Sequence, residues 1–218
     1  MKELLIVVDY QKDFVDGALG FAGAEALDGP IAQRITQVRA GGGDVIFTMD
    51  THGADYADTM EGKKLPVAHC LKDTPGWQLY GQVGASLLPG DPVFEKDTFP
   101  SLDLSDWLRE RDYDTVELCG LVSHICVLSN AVMVKAALPN AAITVDARLT
   151  ASYDPNLHQK ALDVLEGDQK DLADTFAGGK AQTIGDYNNA FMQLESGMVD
   201  AVACDLSIAS YQMAAKPD

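Results

Sequence analysis

Leu4-Leu5-Ile6-Val7-Val8 is an unbroken run of branched apolar residues that stops at the polar stretch Asp9-Tyr10-Gln11-Lys12-Asp13. Such a run is the pattern of a strand covered on both faces, and strands of that kind belong to parallel sheets flanked by helices. Asp44-Val45-Ile46-Phe47-Thr48-Met49, Pro92-Val93-Phe94-Glu95, Thr115-Val116-Glu117-Leu118-Cys119 and Ala142-Ile143-Thr144-Val145 read as further strands. Residues 29 to 40 carry Ile31, Ile35 and Val38 at helical spacing, with Pro30 suited to a first turn and Gly41-Gly42-Gly43 to a stop. Helices are also predicted over Leu104 to Arg111, 124 to 137 and about 155 to 166. The alternation predicts an α/β fold, three layers deep, with a mostly parallel central sheet.

In such folds ligands sit beyond the carboxyl ends of the strands. Asp9, Asp50, Lys96 and the segment from Gly120 to Cys126 follow strands and become the candidate functional residues. Residues 50 to 91 show little regular pattern and are longer than an idle connector, which points to a functional loop. A seam at Ala177-Gly178-Gly179 divides a principal domain over 1–174 from an appended βαβα segment over 175–218, expected to be docked or partly disordered.

Acids outnumber bases 33 to 16, a formal charge of -17, so nucleic acid and anionic membrane surfaces are not expected partners. No apolar run approaches the roughly 20 residues of a membrane helix. Leu4 to Val8 is also too short for a signal-peptide core, and a cytoplasmic protein is expected. Cys70, Cys119, Cys126 and Cys204 form no CxxC pair, so neither a disulfide framework nor a structural zinc knuckle is indicated. Cys126 stands near the start of an apolar helix, where the dipole and unpaired amides favour a thiolate, although a free cysteine is also a common packing residue. Asp9 can take a thiol proton or cap a helix. Lys96 can hold an ion pair or be a solvated charge. Their shared sheet edge favours a single Asp-Lys-Cys site.

Five segments carry a family resemblance: Val8-Asp9-Tyr10-Gln11-Lys12-Asp13-Phe14, Thr48-Met49-Asp50-Thr51-His52, Pro66-Val67-Ala68-His69-Cys70, Glu95-Lys96, and Gly120-Leu121-Val122-Ser123-His124-Ile125-Cys126-Val127. In this order they resemble the isochorismatase-like cysteine hydrolases and, within them, the nicotinamidases, over residues 3 to about 168. The resemblance implies that Asp9 is the general base, Cys126 the nucleophile, and Lys96 the stabiliser of the charged pair. It implies a cis peptide between Leu121 and Val122, with the amides of Val122 and Cys126 forming an oxyanion hole. The implied reaction converts nicotinamide to nicotinate and ammonia through a cysteine thioester.

The resemblance also implies a divalent metal ion (Zn, Fe or Mn) on Asp50, His52 and His69, holding the pyridine nitrogen of the substrate. Glu61 is the best candidate for a fourth ligand, ahead of Asp55 and Asp58. Phe14, from its motif, and Trp77 and Phe99, from their proximity to the long loop and to Lys96, would line a flat pocket for an aromatic amide. Asp13 is expected to anchor the first loop and Cys70 to be a packing residue. His124 and His158 have no identifiable partner, and His158 is expected to be solvated. A small-molecule amide substrate and a homo-oligomer are expected. Isochorismate hydrolysis itself is disfavoured, because that branch lacks the nucleophilic cysteine.

Two other readings stay open. One is a metal-independent cysteine hydrolase of another small amide or a ureido or carbamoyl compound. The other is a non-catalytic binding protein that keeps the fold. Residues 189 to 202 resemble part of the second lobe of bacterial amino-acid-binding proteins, and the tail reads as a fragment of it.

Overall fold

The computed structural model describes residues 2–169. The expected appendage over 175–218, and the boundary at 174, lie outside the described residues. The chain runs β1 (Glu3–Val8), α1 (Asp28–Ala40), β2 (Asp44–Asp50), β3 (Val93–Lys96), α2 (Leu102–Arg109), β4 (Thr115–Leu121), α3 (Leu128–Ala137), β5 (Ala142–Ala151) and α4 (Pro155–Gln169). Among the described residues the paired strands of the sheet are parallel, in the order β3-β2-β1-β4-β5. The order reverses between β1 and β4, and the crevice beyond their carboxyl ends is where a doubly wound sheet binds ligands.

Alternation along β1 divides the core in two. Leu5 and Val7 pack with Ile31, Ile35 and Val38 of α1 on one face. Leu4, Ile6 and Val8 pack with Leu104 and Leu108 of α2, Val127, Ala131 and Val134, and Leu165 of α4 on the other. Side chains of successive strand residues point to opposite faces, so the five-residue apolar run fills both cores at once. The three-layer expectation is met. Among the described residues, no helix is long and apolar enough to cross a membrane.

The differences from the sequence expectation have local causes. Helix α2 starts two residues earlier, because the Ser101 hydroxyl accepts from the Leu104 amide as an N-cap. Strand β4 continues to Leu121 and β5 to Ala151, through a register irregularity between Leu118 and Gly120 that breaks the apolar pattern. The helix over 124 to 137 begins instead with a wide turn, Ser123–Val127, before α3. The long loop holds short helical turns at Tyr56–Asp58, Met60–Lys64, Pro75–Trp77 and Gly81–Ala85, each too brief to leave a periodicity.

Gly120 is fixed by geometry. It has φ 107° and pairs with Val8, and a Cβ there would run into the Val8 carbonyl oxygen. Gly120→Ala combines an unfavourable backbone conformation with a clash against backbone that cannot move aside. It is expected to cost about 3 kcal/mol or more, read as a lower urea midpoint.

Candidate active site

Four strand ends deliver the site. Asp9 follows β1 with φ 45°, a left-handed conformation that Asp tolerates better than most residues, and is fully buried. Its Oδ1 accepts from the Thr48 hydroxyl at 2.6 Å, and its Oδ2 lies 2.6 Å from Lys96 Nζ. Lys96, the last residue of β3, donates to the Thr98 carbonyl at 3.0 Å. Its Nζ also lies 3.4 Å from Asp50 Oδ1 and 3.6 Å from Cys126 Sγ. One buried ammonium therefore touches the acid after β1, the acid ending β2 and the thiol beyond β4.

Cys126 sits in the wide turn, where the Val127 amide closes onto the Val122 carbonyl five residues back at 3.2 Å. The peptide between Leu121 and Val122 is cis, as the resemblance implies. The thiol is buried, and burial, reinforced by the Asp9 carboxylate, pushes its pKa well above the usual thiol value despite Lys96. The helix start was expected to favour a thiolate; loss of hydration in the buried turn works against that, and the Lys96 ammonium works for it. Burial also raises Asp9, against the opposing pull of Lys96. Burial would lower Lys96, but Asp9, Cys126 and Asp50 more than reverse that and keep it an ammonium.

The second cluster adjoins the first through Asp50. Its Oδ2 is 3.0 Å from His52 Nε2 and 3.4 Å from His69 Nε2, and the three donor atoms lie within 4.8 Å of one another. Glu61 Oε1 is 3.9 Å from His52 Nε2 and 3.6 Å from His69 Nε2. Atoms bound about 2.1 Å from one ion stand roughly 3.0–3.5 Å apart at octahedral or tetrahedral angles; both Asp50–histidine separations fall in that range, and Asp50, His52 and His69 could together hold a divalent ion. His52 Nε2 is buried and has no aligned hydrogen bond among the described residues, as a lone pair reserved for a metal would be. His69 Nδ1 lies 2.8 Å from the Val67 carbonyl, which fixes the ring and leaves Nε2 facing the cluster. Burial would raise Asp50, yet the two imidazoles and Lys96 hold it below the ordinary carboxylate range.

The aromatic candidates separate. The Phe14 ring packs on His69 with centroids 5.6 Å apart, and Trp77 Nε1 donates to Thr51 Oγ1 at 2.8 Å, next to Asp50. Phe99 follows Lys96 but is 46% exposed. Asp13 accepts from the Cys70 and Ala18 amides and ties the first loop to the segment carrying His69. Cys70 is fully buried in the core and is a packing residue.

Two histidine expectations are corrected. His158 Nδ1 lies 2.9 Å from the buried Ser123 hydroxyl, and His124 Nδ1 lies 2.9 Å from the Ser152 hydroxyl. Each imidazole thus joins the turn carrying Cys126 to the segment from β5 into α4. The partners stand 28 and 35 residues away in the chain, beyond the reach of any local pattern.

Several site residues carried no individual signal in the sequence. Gln11 is buried and grips the Asp50 backbone in both directions, Nε2 donating to its carbonyl at 2.8 Å and Oε1 accepting from its amide at 2.7 Å. Tyr56 packs its ring on both His52 and His69, at 4.7 and 5.1 Å between centroids. Thr48 and Asn130 belong with them. Only the presence of Gln11 and Thr48 inside quoted motifs could have marked any of these four.

The sequence profile of the Isochorismatase domain matches residues 3–175. A Bacillus subtilis protein described as an uncharacterized isochorismatase family protein, PncA, is 31% identical over 178 residues, 74% of this chain and 93% of that protein. The crystal structure of pyrazinamidase/nicotinamidase from Streptococcus mutans superposes with a TM-score of 0.69 at 31% identity, covering 77% of this chain and 97% of that one. An N-carbamoylsarcosine amidase from Thermoplasma acidophilum gives 0.64 at 30% identity, over 76% and 93% of the two chains.

Proposed function

The chain belongs to the isochorismatase family, and we propose that within it this protein is a metal-dependent amidohydrolase that cleaves nicotinamide to nicotinate and ammonia through a thioester on Cys126. The observation that carries the reading is the contact of one buried ammonium, Lys96, with both Asp9 and Cys126, beside three donor atoms spaced for one ion. The likeness to the Streptococcus mutans pyrazinamidase/nicotinamidase supports the substrate class.

Asp9 takes the thiol proton as sulfur attacks the amide carbon, and the new C–S bond turns the carbonyl oxygen into an oxyanion. The amides of Val122 and Cys126 face it in this reading, and donors preorganised in that way lower a barrier by roughly 3 kcal/mol each. Collapse breaks the C–N bond, and the protonated Asp9 gives its proton to the departing nitrogen, which leaves as ammonia. A water, deprotonated by Asp9, then hydrolyses the thioester and regenerates the thiol. Lys96 holds a fixed positive charge beside Asp9 and Cys126 throughout, so no step leaves uncompensated charge in a buried site. A divalent ion on Asp50, His52 and His69, with Glu61 close enough to complete the set, would supply a Lewis-acidic contact for a ring nitrogen of the substrate. Phe14 and Trp77 flank that cluster and suit a planar ring.

The test is ammonia release from nicotinamide and pyrazinamide by metal-loaded and chelator-treated protein. Loaded protein is expected to turn over both. Chelation is expected to lower the rate by about 10–100-fold or more, with recovery on adding Zn, Fe or Mn. The likeness to the carbamoylsarcosine amidase favours a second reading, a metal-independent hydrolase of carbamoyl compounds. Ammonia from an N-carbamoyl amino acid but from neither pyridine amide nor pyrazinamide, unaffected by chelator, would replace the first reading with the second.

A further inference from the structure

Asn130 lies on α3 four residues beyond Cys126, and it is fully buried. Its Nδ2 donates to the Cys126 carbonyl at 2.8 Å and to the Phe99 carbonyl at 3.1 Å, while its Oδ1 accepts from the Ser101 amide at 3.1 Å. The two carbonyls on one side and the N–H on the other admit only this orientation of the amide. One side chain thus binds the nucleophile's own backbone to the segment 97–101 that leaves Lys96. The same segment presents the Thr98 carbonyl that Lys96 Nζ donates to, and Ser101 caps α2 at its far end.

A buried primary amide is costly unless it is fully satisfied, and an apolar residue at this position would fill the same space between α2 and α3 more cheaply. The position instead holds the one neutral side chain of this length that offers two donors and an acceptor together. We propose that Asn130 is a positioning residue for catalysis, locking the loop after Lys96 to the nucleophile turn so that the ammonium keeps its reach to both Asp9 and Cys126. The inference rests on the reading of Lys96 and Cys126 as reacting groups. It extends that reading to a residue that touches neither substrate nor reacting atoms.

Two substitutions separate positioning from packing. Asn130→Asp keeps the size and an acceptor for the Ser101 amide but sets a carboxylate oxygen against two carbonyls. Asn130→Thr keeps a hydroxyl able to bond the Cys126 carbonyl one turn back, yet cannot span to Phe99. Misplacement of reacting groups by about 1 Å costs on the order of 100-fold, so each is expected to lower kcat by about 10–100-fold with KM changed less than about threefold. Alkylation of Cys126 by iodoacetamide, followed by peptide mass mapping, is expected to change at least about tenfold in rate in both variants.

Wild-type kcat and wild-type alkylation in Asn130→Thr would overturn the inference, as would a loss of kcat that disappears on cooling to where the variant is fully folded. If Asn130→Asp fails to fold, the threonine variant decides alone. Failure of the underlying reading is distinguishable, since wild-type protein would then release no ammonia from either amide, and the alkylation rates would still decide whether Asn130 positions the thiol.

Discussion

Cys126→Ala is expected to lower ammonia release by about 10⁴-fold or more while leaving the fold and the bound metal in place. Removing a nucleophile from a covalent mechanism costs about 10⁴–10⁶ in kcat, because the groups that activate it then have nothing to activate. The substitution deletes one buried sulfur atom and leaves the Asp9–Lys96 ion pair intact, so the thermal midpoint should move by only a few degrees. Metal content should be unchanged, since the sulfur is not among the clustered donor atoms. A variant with activity within tenfold of wild type would show that the thiol takes no covalent part, and Asp9 would then have to activate water directly. Ammonia release, thermal unfolding and metal content measured on one preparation separate these outcomes.

The burial of Cys126 could not be read from the chain. The start of an apolar helix argues for a thiolate, whereas burial, which only the tertiary packing creates, pushes the thiol's pKa up. The strands and their ends were legible, since Leu4 to Val8 and its counterparts are local patterns and each places its last residue at one rim. The catalytic candidates were legible for the same reason. Asn130 was not, because a polar residue in a helical stretch ordinarily reads as a solvent-facing position, and its partner Phe99 lies 31 residues away. The wide turn of Ser123–Val127 left no trace either, as every residue in it is compatible with an ordinary helix. Sequence periodicity thus locates the rim of the fold, whereas the side chains that set distances across the rim answer to partners remote in the chain.

Lys96→Met tests whether the buried ammonium is what allows two buried acids to share the site. Breaking a buried ion pair from one side costs about 3–5 kcal/mol when the abandoned charge persists, and Lys96 faces both Asp9 and Asp50. Asp9 has an escape: its pKa is already raised by burial, and without the ammonium it rises further, so the carboxyl can take up a proton. A group whose pKa is higher in the folded than in the unfolded state contributes stability below its unfolded value and loses it as pH climbs through its folded value. The variant should therefore be penalised little under mildly acidic conditions and by about 3 kcal/mol under mildly alkaline ones, a difference readable as a pH-dependent shift in the urea midpoint. Adding Asp9→Asn to Lys96→Met should restore most of the alkaline loss, because no ionisable acid then remains at that position, and should restore no activity, because the proposed base is gone. Equal stability of wild type and Lys96→Met across the pH range would mean that Asp9 is already protonated in the resting enzyme, leaving it unable to accept the thiol proton and removing the ground for its role as general base.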